Sequence, residues 1–250
     1  MMVNLETAFP IRPAEVDLGA EGAVGLIVVD AGVGFTRSGN LSDPAHMIPM
    51  VRRIGAEYRA LRAALGDRLH TLCFLDTHHP DVPEPPYPPH GIIGTGEEEM
   101  DPELAWLPAE PQVTVVRKDC INGFVGGIDP RTGRNLVVEW VRAIRPRALL
   151  VCGDCTDICV SDLVVTLLSA RNHGLLSPVS AEDGDADDPG RRARLVADIT
   201  GLEIAALMHA CETFDAPGHD RAAAHHAGLW FMGARGATVA SGWRASGADG

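Results

Sequence analysis

The chain has 250 residues, 46% of them hydrophobic, and a net charge of −13 from 21 Lys and Arg against 34 Asp and Glu. This length can bury one sizeable core, so we expect a single domain over residues 1–250. The acidic balance argues against nucleic acid and anionic membranes as partners, because neutralising phosphate takes clustered cations. With no run approaching the roughly 18 apolar residues that span a bilayer and no signal-peptide pattern, we expect a cytoplasmic protein acting on a small molecule.

Four apolar runs rich in Val, Ile and Leu, each ending at a polar residue, are typical of buried parallel strands. They are GLIVVD (25–30), TLCFLD (71–76), VTVVRK (113–118) and ALLVCGD (148–154). Helical periodicity is present at 43–65, 134–144, 157–174 and 219–236, and further strands are predicted near 202–210 and 237–241. This alternation predicts an α/β fold, a doubly wound and mostly parallel sheet flanked by helices on both faces.

Two segments of the chain are irregular. Residues 77–111 contain the run PEPPYPP, which predicts a long, stiff loop because proline excludes an ordinary helix. Residues 182–198 begin with EDGDADD and predict an acidic surface insertion, to which we assign no chemistry.

Polar residues end the predicted strands. The first three strands end at Asp30, Asp76 and Lys118, and the fourth runs through GDCT into a helix that contains Cys159. In an open parallel sheet, ligands bind at the carboxyl ends of the strands. We therefore expect these four side chains to meet at one edge, although each alone is more typical of a structural residue.

Three cysteines, Cys152, Cys155 and Cys159, lie within eight residues. Their spacing does not match a structural zinc site, since no second Cys pair follows, and a reducing cytoplasm disfavours disulfides. Cys152 is predicted inside a strand and Cys155 in a turn. If Thr156 is the N-cap, Cys159 is the third helical residue, where the helix dipole and unpaired backbone N–H groups favour a thiolate.

Cys159 can act as a nucleophile if two of the strand-end residues lie close to it. The Lys118 ammonium would lower the thiol pKa further, and an ionised Asp30 could take the thiol proton and pass it to a leaving group. The alternative, that Cys159 is a core residue of its helix, stays open from spacing alone.

A second group of polar residues is in DTHHPDVPEPPYPPHG. Asp76 and His78 are two residues apart at a strand end, so the strand period directs both to one side, and His90 follows the proline-rich run. One carboxylate and two imidazoles suit a divalent ion such as zinc, iron or manganese, and Glu84 or His79 could complete or replace a ligand. A hydrogen-bonded histidine cluster without metal is equally compatible with the pattern.

Four longer segments resemble the isochorismatase-like superfamily of cysteine hydrolases, and within it the plant-type nicotinamidases. They are LDTHHPDVPEPPYPPHGIIGT, RKDCINGFVGG, CTDICVSDLVVTLLSARNHG and ETFDAPGHDRAAAHHAGL, and the resemblance extends over about residues 24–240. It implies the α/β fold predicted above. It places the family's catalytic residues on Asp30, Lys118 and Cys159, and its metal ligands on Asp76, His78 and His90.

The resemblance implies that nicotinamide is hydrolysed to nicotinate and ammonia through a Cys159 thioester, a reaction of NAD salvage. Backbone N–H groups of Cys155 and Cys159 would stabilise the oxyanion, and one divalent metal, zinc first and iron or manganese as alternatives, would orient the substrate. Pyrazinamide-like amides are further candidate substrates, and we expect a homo-oligomer.

The chain also departs from the family pattern. AGVGF follows Asp30, leaving Phe35 as the expected pocket aromatic, and Gly91 replaces a cysteine that follows the third ligand in many relatives. Two other interpretations stay open: a metal-independent cysteine amidohydrolase acting on another small amide or a carbamoyl compound, and a catalytically silent metal-binding or redox module. The Asp76, His78 and His90 set counts against the first.

Overall fold

The computed structural model describes residues 4–178 and 188–245. Within them, seven strands form one sheet in which every pairing is parallel, in the order β1-β7-β6-β5-β2-β3-β4. The strands are β1 (Ala14–Asp17), β2 (Ala23–Val29), β3 (Leu69–Asp76), β4 (Val113–Lys118), β5 (Pro146–Asp154), β6 (Glu203–Glu212) and β7 (Thr238–Arg244).

Eight α-helices lie in the described part of the chain. They are α1 (Leu5–Ala8), α2 (Val33–Thr36), α3 (Pro44–Leu65), α4 (Gly123–Gly126), α5 (Leu136–Ile144), α6 (Ser161–His173), α7 (Pro189–Ile199) and α8 (Arg221–Gly233). From β2 the chain moves to β3 and β4, then returns beside β2 as β5 and continues the other way to β6 and β7. Right-handed crossovers in opposite directions put helices on opposite faces, which confirms the predicted doubly wound sheet.

The reversal of strand order positions the site. Strands β2 and β5 are neighbours, yet their helical connections leave in opposite directions, so a crevice opens between their carboxyl ends. Asp30 follows β2 directly, and the segment with Cys159 follows β5.

The core is apolar on both faces of the central strands. Strand β2 is almost entirely buried, as its unbroken apolar sequence predicts. Helix α3 begins with Pro44 at its first turn and buries one face against β3, β5 and β6. The buried residues of that face recur at intervals of three and four: Met47, Met50, Val51, Ile54, Tyr58, Leu61 and Leu65.

Two strands differ from the sequence prediction. Strand β1 was not predicted, because four residues with two exposed side chains carry too little apolar pattern, and it pairs with β7 at one sheet edge. The run at 113–118 was predicted to be a buried strand, which is wrong for most of β4. Because β4 is the opposite edge strand, Thr114, Val115 and Arg117 are exposed and only Lys118 is buried.

The structure describes only part of the expected acidic insertion. Residues 182–187 lie outside the described residues, whereas α7 occupies most of the remainder and begins where the Asp188 side chain accepts a hydrogen bond from the Gly190 N–H. The surface insertion and the single domain stay predictions. None of the helices in the described ranges is long and apolar enough to cross a membrane.

Candidate active site

The ends of three neighbouring strands bring Asp30, Asp76 and Lys118 together. The Lys118 Nζ lies 2.8 Å from Asp30 Oδ2 and 2.8 Å from Asp76 Oδ1. Its distance to Cys159 Sγ, on the segment after β5, is 4.0 Å. All four side chains are buried, so the expected meeting at one edge of the sheet is present in the structure.

The cysteine lies on a π-helical turn. The chain leaves β5 through a cis peptide bond between Asp154 and Cys155, and Thr156–Val160 form the turn that precedes α6. The predicted N-cap was wrong: Cys155 is the cap, and its carbonyl oxygen accepts a hydrogen bond from the Val160 N–H at 3.1 Å. Cys159 is therefore the fourth residue of the turn and not the third, still within the part that the helix dipole favours for an anion.

Helix α8 supports this turn from behind. The Thr156 hydroxyl contacts His225 Nδ1 at 2.9 Å, so Thr156 is used in packing and not as the cap. At Gly228 a Cβ atom would lie 2.7 Å from the Asp157 Cα, closer than side chains approach backbone. Glycine at 228 thus permits the close approach of α8 to the turn.

Burial and charge set the protonation of the catalytic candidates. Burial raises the pKa of Asp30 to about 6, although the Lys118 ammonium opposes the rise. Burial also raises the pKa of the Cys159 thiol well above its usual value, and Lys118 only partly counteracts this. For Lys118, burial favours the neutral amine, but Asp30 and the other nearby anions outweigh it and raise the pKa.

The raised pKa of Cys159 corrects the sequence expectation of a thiolate at rest. The helix terminus and Lys118 favour the anion, but burial of the sulfur removes more hydration than these groups replace. A neutral thiol beside an ionised Asp30 still permits proton transfer at the moment of attack.

A second buried group adjoins Lys118. Ligand atoms of Asp76, His78, Glu84 and His90 all lie within 4.8 Å of one another. The Asp76 Oδ2 is 3.1 Å from His78 Nε2 and 3.0 Å from His90 Nε2. The Glu84 Oε2 lies 3.6 Å and 3.7 Å from the same two nitrogens.

The surroundings of these side chains direct them at one point. The His90 Nδ1 contacts the Pro88 carbonyl oxygen at 2.8 Å, which leaves Nε2 to accept a metal. The Ile121 N–H donates to Glu84 Oε1 at 2.7 Å, which turns Oε2 toward the histidines. The buried His78 Nε2 has no hydrogen-bond partner among the described residues. Two carboxylates and two imidazoles in this state fit a divalent cation.

The exposed His79 does not join the group, in contrast to Glu84. Its ring is 59% exposed, and its Nδ1 accepts a hydrogen bond from the Asp81 N–H. The sequence left both residues open as a further ligand, and the structure brings only Glu84 to the other three.

Asp76 links the two groups, because its oxygens face different partners. Oδ1 contacts Lys118 and Oδ2 contacts both histidines. Burial favours the neutral acid, but the Lys118 ammonium and the nearby His78 and His90 nitrogens outweigh it and hold the pKa of Asp76 well below its usual range. Asp76 is therefore an anion that can bind a cation while fixing Lys118.

The replacement of cysteine by Gly91 has a structural reason. Gly91 has a φ of +54°, and a Cβ there would lie 2.9 Å from the Asp76 carbonyl oxygen. In this chain the backbone after His90 runs too close to β3 for a side chain without a shift.

One pocket has Cys159 in its wall together with two of the metal-ligand candidates, Glu84 and His90. Phe35, the aromatic residue expected from the sequence, lies in its wall with its ring 5.6 Å from that of His90. Sequence reasoning missed several other wall residues: Leu41, Tyr87, Ile121, Ile158 and Phe214. Of these, only Tyr87 could have been predicted from the sequence, because it lies between two expected ligands, Glu84 and His90, in the proline-rich run.

Comparison with known proteins assigns the chain to a family. Residues 24–186 match the model of the isochorismatase domain. The chain belongs to the isochorismatase-domain family. Nicotinamidase 1 of Arabidopsis thaliana is 38% identical over 261 aligned positions, which cover 96% of this chain and 98% of that protein.

Solved structures of the family share the fold. A nicotinamidase from Bacillus subtilis has a TM-score of 0.60 and 22% identity, covering 88% of this chain and 100% of that one. A pyrazinamidase from Pyrococcus horikoshii in complex with zinc has a TM-score of 0.56 and 17% identity, with coverages of 86% and 97%. An N-carbamoylsarcosine amidase from Thermoplasma acidophilum scores 0.57 at 20% identity, with coverages of 87% and 95%. At such identities the likeness extends to the fold alone.

Proposed function

We propose that this protein is a nicotinamidase, an amidohydrolase that converts nicotinamide to nicotinate and ammonia in NAD salvage. The observation that carries the proposal is the placement of Cys159 and Lys118 beside a four-ligand metal group at the end of one pocket. The 38% identity to an Arabidopsis nicotinamidase over nearly the whole chain supports the choice of substrate.

The geometry supports a role for each catalytic candidate. Asp30 takes the Cys159 proton as the sulfur attacks the carboxamide carbon, and Lys118 balances the charge of the carboxylates beside it. Backbone N–H groups of Cys155 and Cys159 stabilise the oxyanion. Asp30 then gives the proton to the leaving nitrogen, which departs as ammonia. Water attacks the thioester, Asp30 accepts its proton, and that proton returns to the sulfur as nicotinate leaves.

Asp76, His78, Glu84 and His90 would hold one divalent ion, for which we propose zinc, with iron and manganese as alternatives. Held by these residues, the ion would supply a Lewis-acidic attachment point for the ring nitrogen of the substrate, which would help orient the carboxamide toward the sulfur. The zinc complex of the Pyrococcus pyrazinamidase supports this choice. Pyrazinamide, which offers a comparable ring nitrogen, is a second candidate substrate.

The aromatic walls of the pocket suit a flat ring. Phe35 and Tyr87 both make T-shaped contacts with His90, with ring centroids 5.6 Å and 6.1 Å from its own. We assign both residues to binding of the substrate ring.

The competing activity is that of a metal-independent amidohydrolase acting on a carbamoyl compound. Its support is the comparable fold of the N-carbamoylsarcosine amidase. Such an enzyme needs no buried four-ligand group, and this chain has one. A catalytically silent module is the remaining alternative, and thiol titration with and without an amide substrate separates it from an enzyme.

The deciding test is ammonia release from nicotinamide, repeated after chelation and with a carbamoyl substrate. Cys159→Ala should abolish release, whereas Cys152→Ala, which alters a buried thiol inside β5, should largely preserve it. Chelation should remove most turnover, and zinc should restore it. Full turnover by Cys159→Ala, or faster hydrolysis of the carbamoyl compound, would overturn the proposal.

Four expectations from the sequence stay predictions. They are the cytoplasmic location, the homo-oligomer, the single domain over residues 1–250 and the acidic surface insertion at 182–198.

A further inference from the structure

The loop after β6 places one histidine between the pocket and the π-helical turn that carries Cys159. The His219 Nδ1 lies 2.9 Å from the Phe214 carbonyl oxygen, and its Nε2 lies 2.8 Å from Asp157 Oδ2. The ring also stacks on that of Phe214, with centroids 4.4 Å apart and an interplanar angle of 25°. One side chain thus makes three directional contacts to two residues.

These two residues belong to different parts of the site. Phe214 lines the pocket that reaches Cys159. Asp157 lies two residues before Cys159 on the π-helical turn, and its Oδ1 is buried without a hydrogen-bond partner among the described residues. The contact to His219 is therefore important for Asp157, because a carboxylate with few partners is costly to keep in a partly buried position.

We propose that His219 is a positioning residue that sets two separable features of the site. Through Asp157 it holds the turn that aims Cys159, and through Phe214 it holds the pocket wall against which the substrate ring packs. His219 itself is not among the residues that line the pocket, so it acts through its two partners. The second role rests on the proposed function, whereas the first does not.

The two contacts predict different effects for two substitutions at this position. His219→Ala removes the hydrogen bond to Asp157 and the stack on Phe214 together. His219→Gln can still donate from its amide to Asp157 but cannot stack. If His219 had a purely structural role, kcat, KM and the alkylation rate of each variant would change in proportion to its loss of stability.

The experiment measures kcat and KM for nicotinamide, the thermal midpoint, and the rate at which iodoacetamide alkylates Cys159, followed on its own peptide by mass spectrometry. His219→Ala should slow alkylation and lower kcat about 10-fold or more, since small misplacements of a reacting group are costly. It should also raise KM. His219→Gln should recover most of kcat and of the alkylation rate, while KM stays raised.

His226→Gln is the matched control. His226 lies on α8, its Nε2 contacts the Phe9 carbonyl oxygen at 2.8 Å, and it is not among the residues that line the pocket. This variant should lose stability without a change in kcat, KM or alkylation. If His219→Ala behaves like His226→Gln, or if His219→Gln recovers KM and kcat equally, the proposal is wrong.

Two more variants apply if His219→Ala does not fold. Asp157→Ala should slow alkylation, and Phe214→Leu should raise KM alone; the reverse pattern, or no change in either, contradicts the proposal. A wild-type protein without nicotinamidase activity would overturn the proposed function. The alkylation measurement would still test how His219 holds the turn, because alkylation needs no amide substrate.

Discussion

Lys118 is the charged group on which the site depends. Its ammonium lies between the carboxylates of Asp30 and Asp76 and 4.0 Å from the Cys159 sulfur, all buried. Two buried carboxylates without this cation would repel each other, and one would take a proton. In the proposed mechanism, Lys118 therefore keeps Asp30 ionised as the base and Asp76 ionised as a metal ligand.

Lys118→Met should therefore cut turnover by about 10²–10⁴-fold, as expected when a positioned electrostatic partner is lost. Lys118 works against the burial that raises the pKa of Cys159, so its removal should raise that pKa further. The check is the pH profile of Cys159 alkylation. An unchanged profile in the variant would show that Lys118 has a structural role only.

The titration of Asp30 should set the acid side of the pH–activity profile. Burial raises its pKa to about 6, so below that pH the carboxyl is protonated and cannot accept the thiol proton. The value of kcat/KM should fall about 10-fold for each pH unit below 6, the slope of one titrating base. An acid limb near pH 4, the ordinary range of an aspartate, would argue against Asp30 as the base.

The segment between β3 and β4 carries three of the four metal-ligand candidates. The two sides of its proline-rich run are joined beside β3, where the His78 N–H donates to the Gly91 carbonyl oxygen at 2.9 Å and the Ile93 N–H donates to the His78 carbonyl oxygen at 3.0 Å. These hydrogen bonds return His90 to His78 after the proline-rich run. The loop thus builds the ligand group, while β2, β4 and the turn after β5 supply the catalytic candidates.

His90→Ala should separate the two groups. It should lose bound metal and most turnover, yet Cys159 should still react with iodoacetamide, because Asp30, Lys118 and the helix terminus remain. His79→Ala, the exposed neighbour outside the ligand group, is the control and should keep metal and activity.

Two results would contradict this separation. One is active wild-type protein with no stoichiometric metal by elemental analysis. The other is a folded His90→Ala variant in which Cys159 no longer reacts.

The buried carboxylate of Asp101 joins the long loop to the end of α2, the helix that carries Phe35. Asp101 accepts hydrogen bonds from the Thr36 hydroxyl at 2.6 Å and from Arg37 at 2.7 Å and 2.9 Å. Burial favours the neutral acid, but these hydrogen bonds outweigh it and lower the pKa of Asp101. A lowered pKa adds stability that is present above the unfolded-state pKa and is lost as pH falls through the folded-state value.

Asp101→Ala should therefore lower the free energy of unfolding at pH 7 by about 1.5–3 kcal/mol, the range for hydrogen bonds to a charged group. The difference from wild type should shrink as pH falls below 4. Urea denaturation at several pH values measures both effects. Glu139→Ala, which breaks an exposed pair with Arg134, should cost less than about 1 kcal/mol, and an equal cost for the two variants would contradict the assignment.

The sequence alone determined the central strands, the order of their terminal residues and the resemblance to the family. An apolar run that ends at Asp30 or Asp76 is a local pattern, and parallel strands bring such ends to one edge in any doubly wound sheet. The histidines at 78 and 90 were equally visible, because their spacing around the proline-rich run does not depend on distant residues.

The tertiary structure decided what depends on contacts between distant segments. Strand β4 lies at the sheet edge, yet Lys118 at its end is buried. Glu84, and not His79, lies with the other metal-ligand candidates. Cys155 is the N-cap of the turn, while the Thr156 hydroxyl contacts His225 from α8. The tertiary structure also raised the pKa of Cys159, because burial depends on everything packed around the sulfur. No local period encodes such packing, so Phe214 and His219 join the site only once the chain has folded.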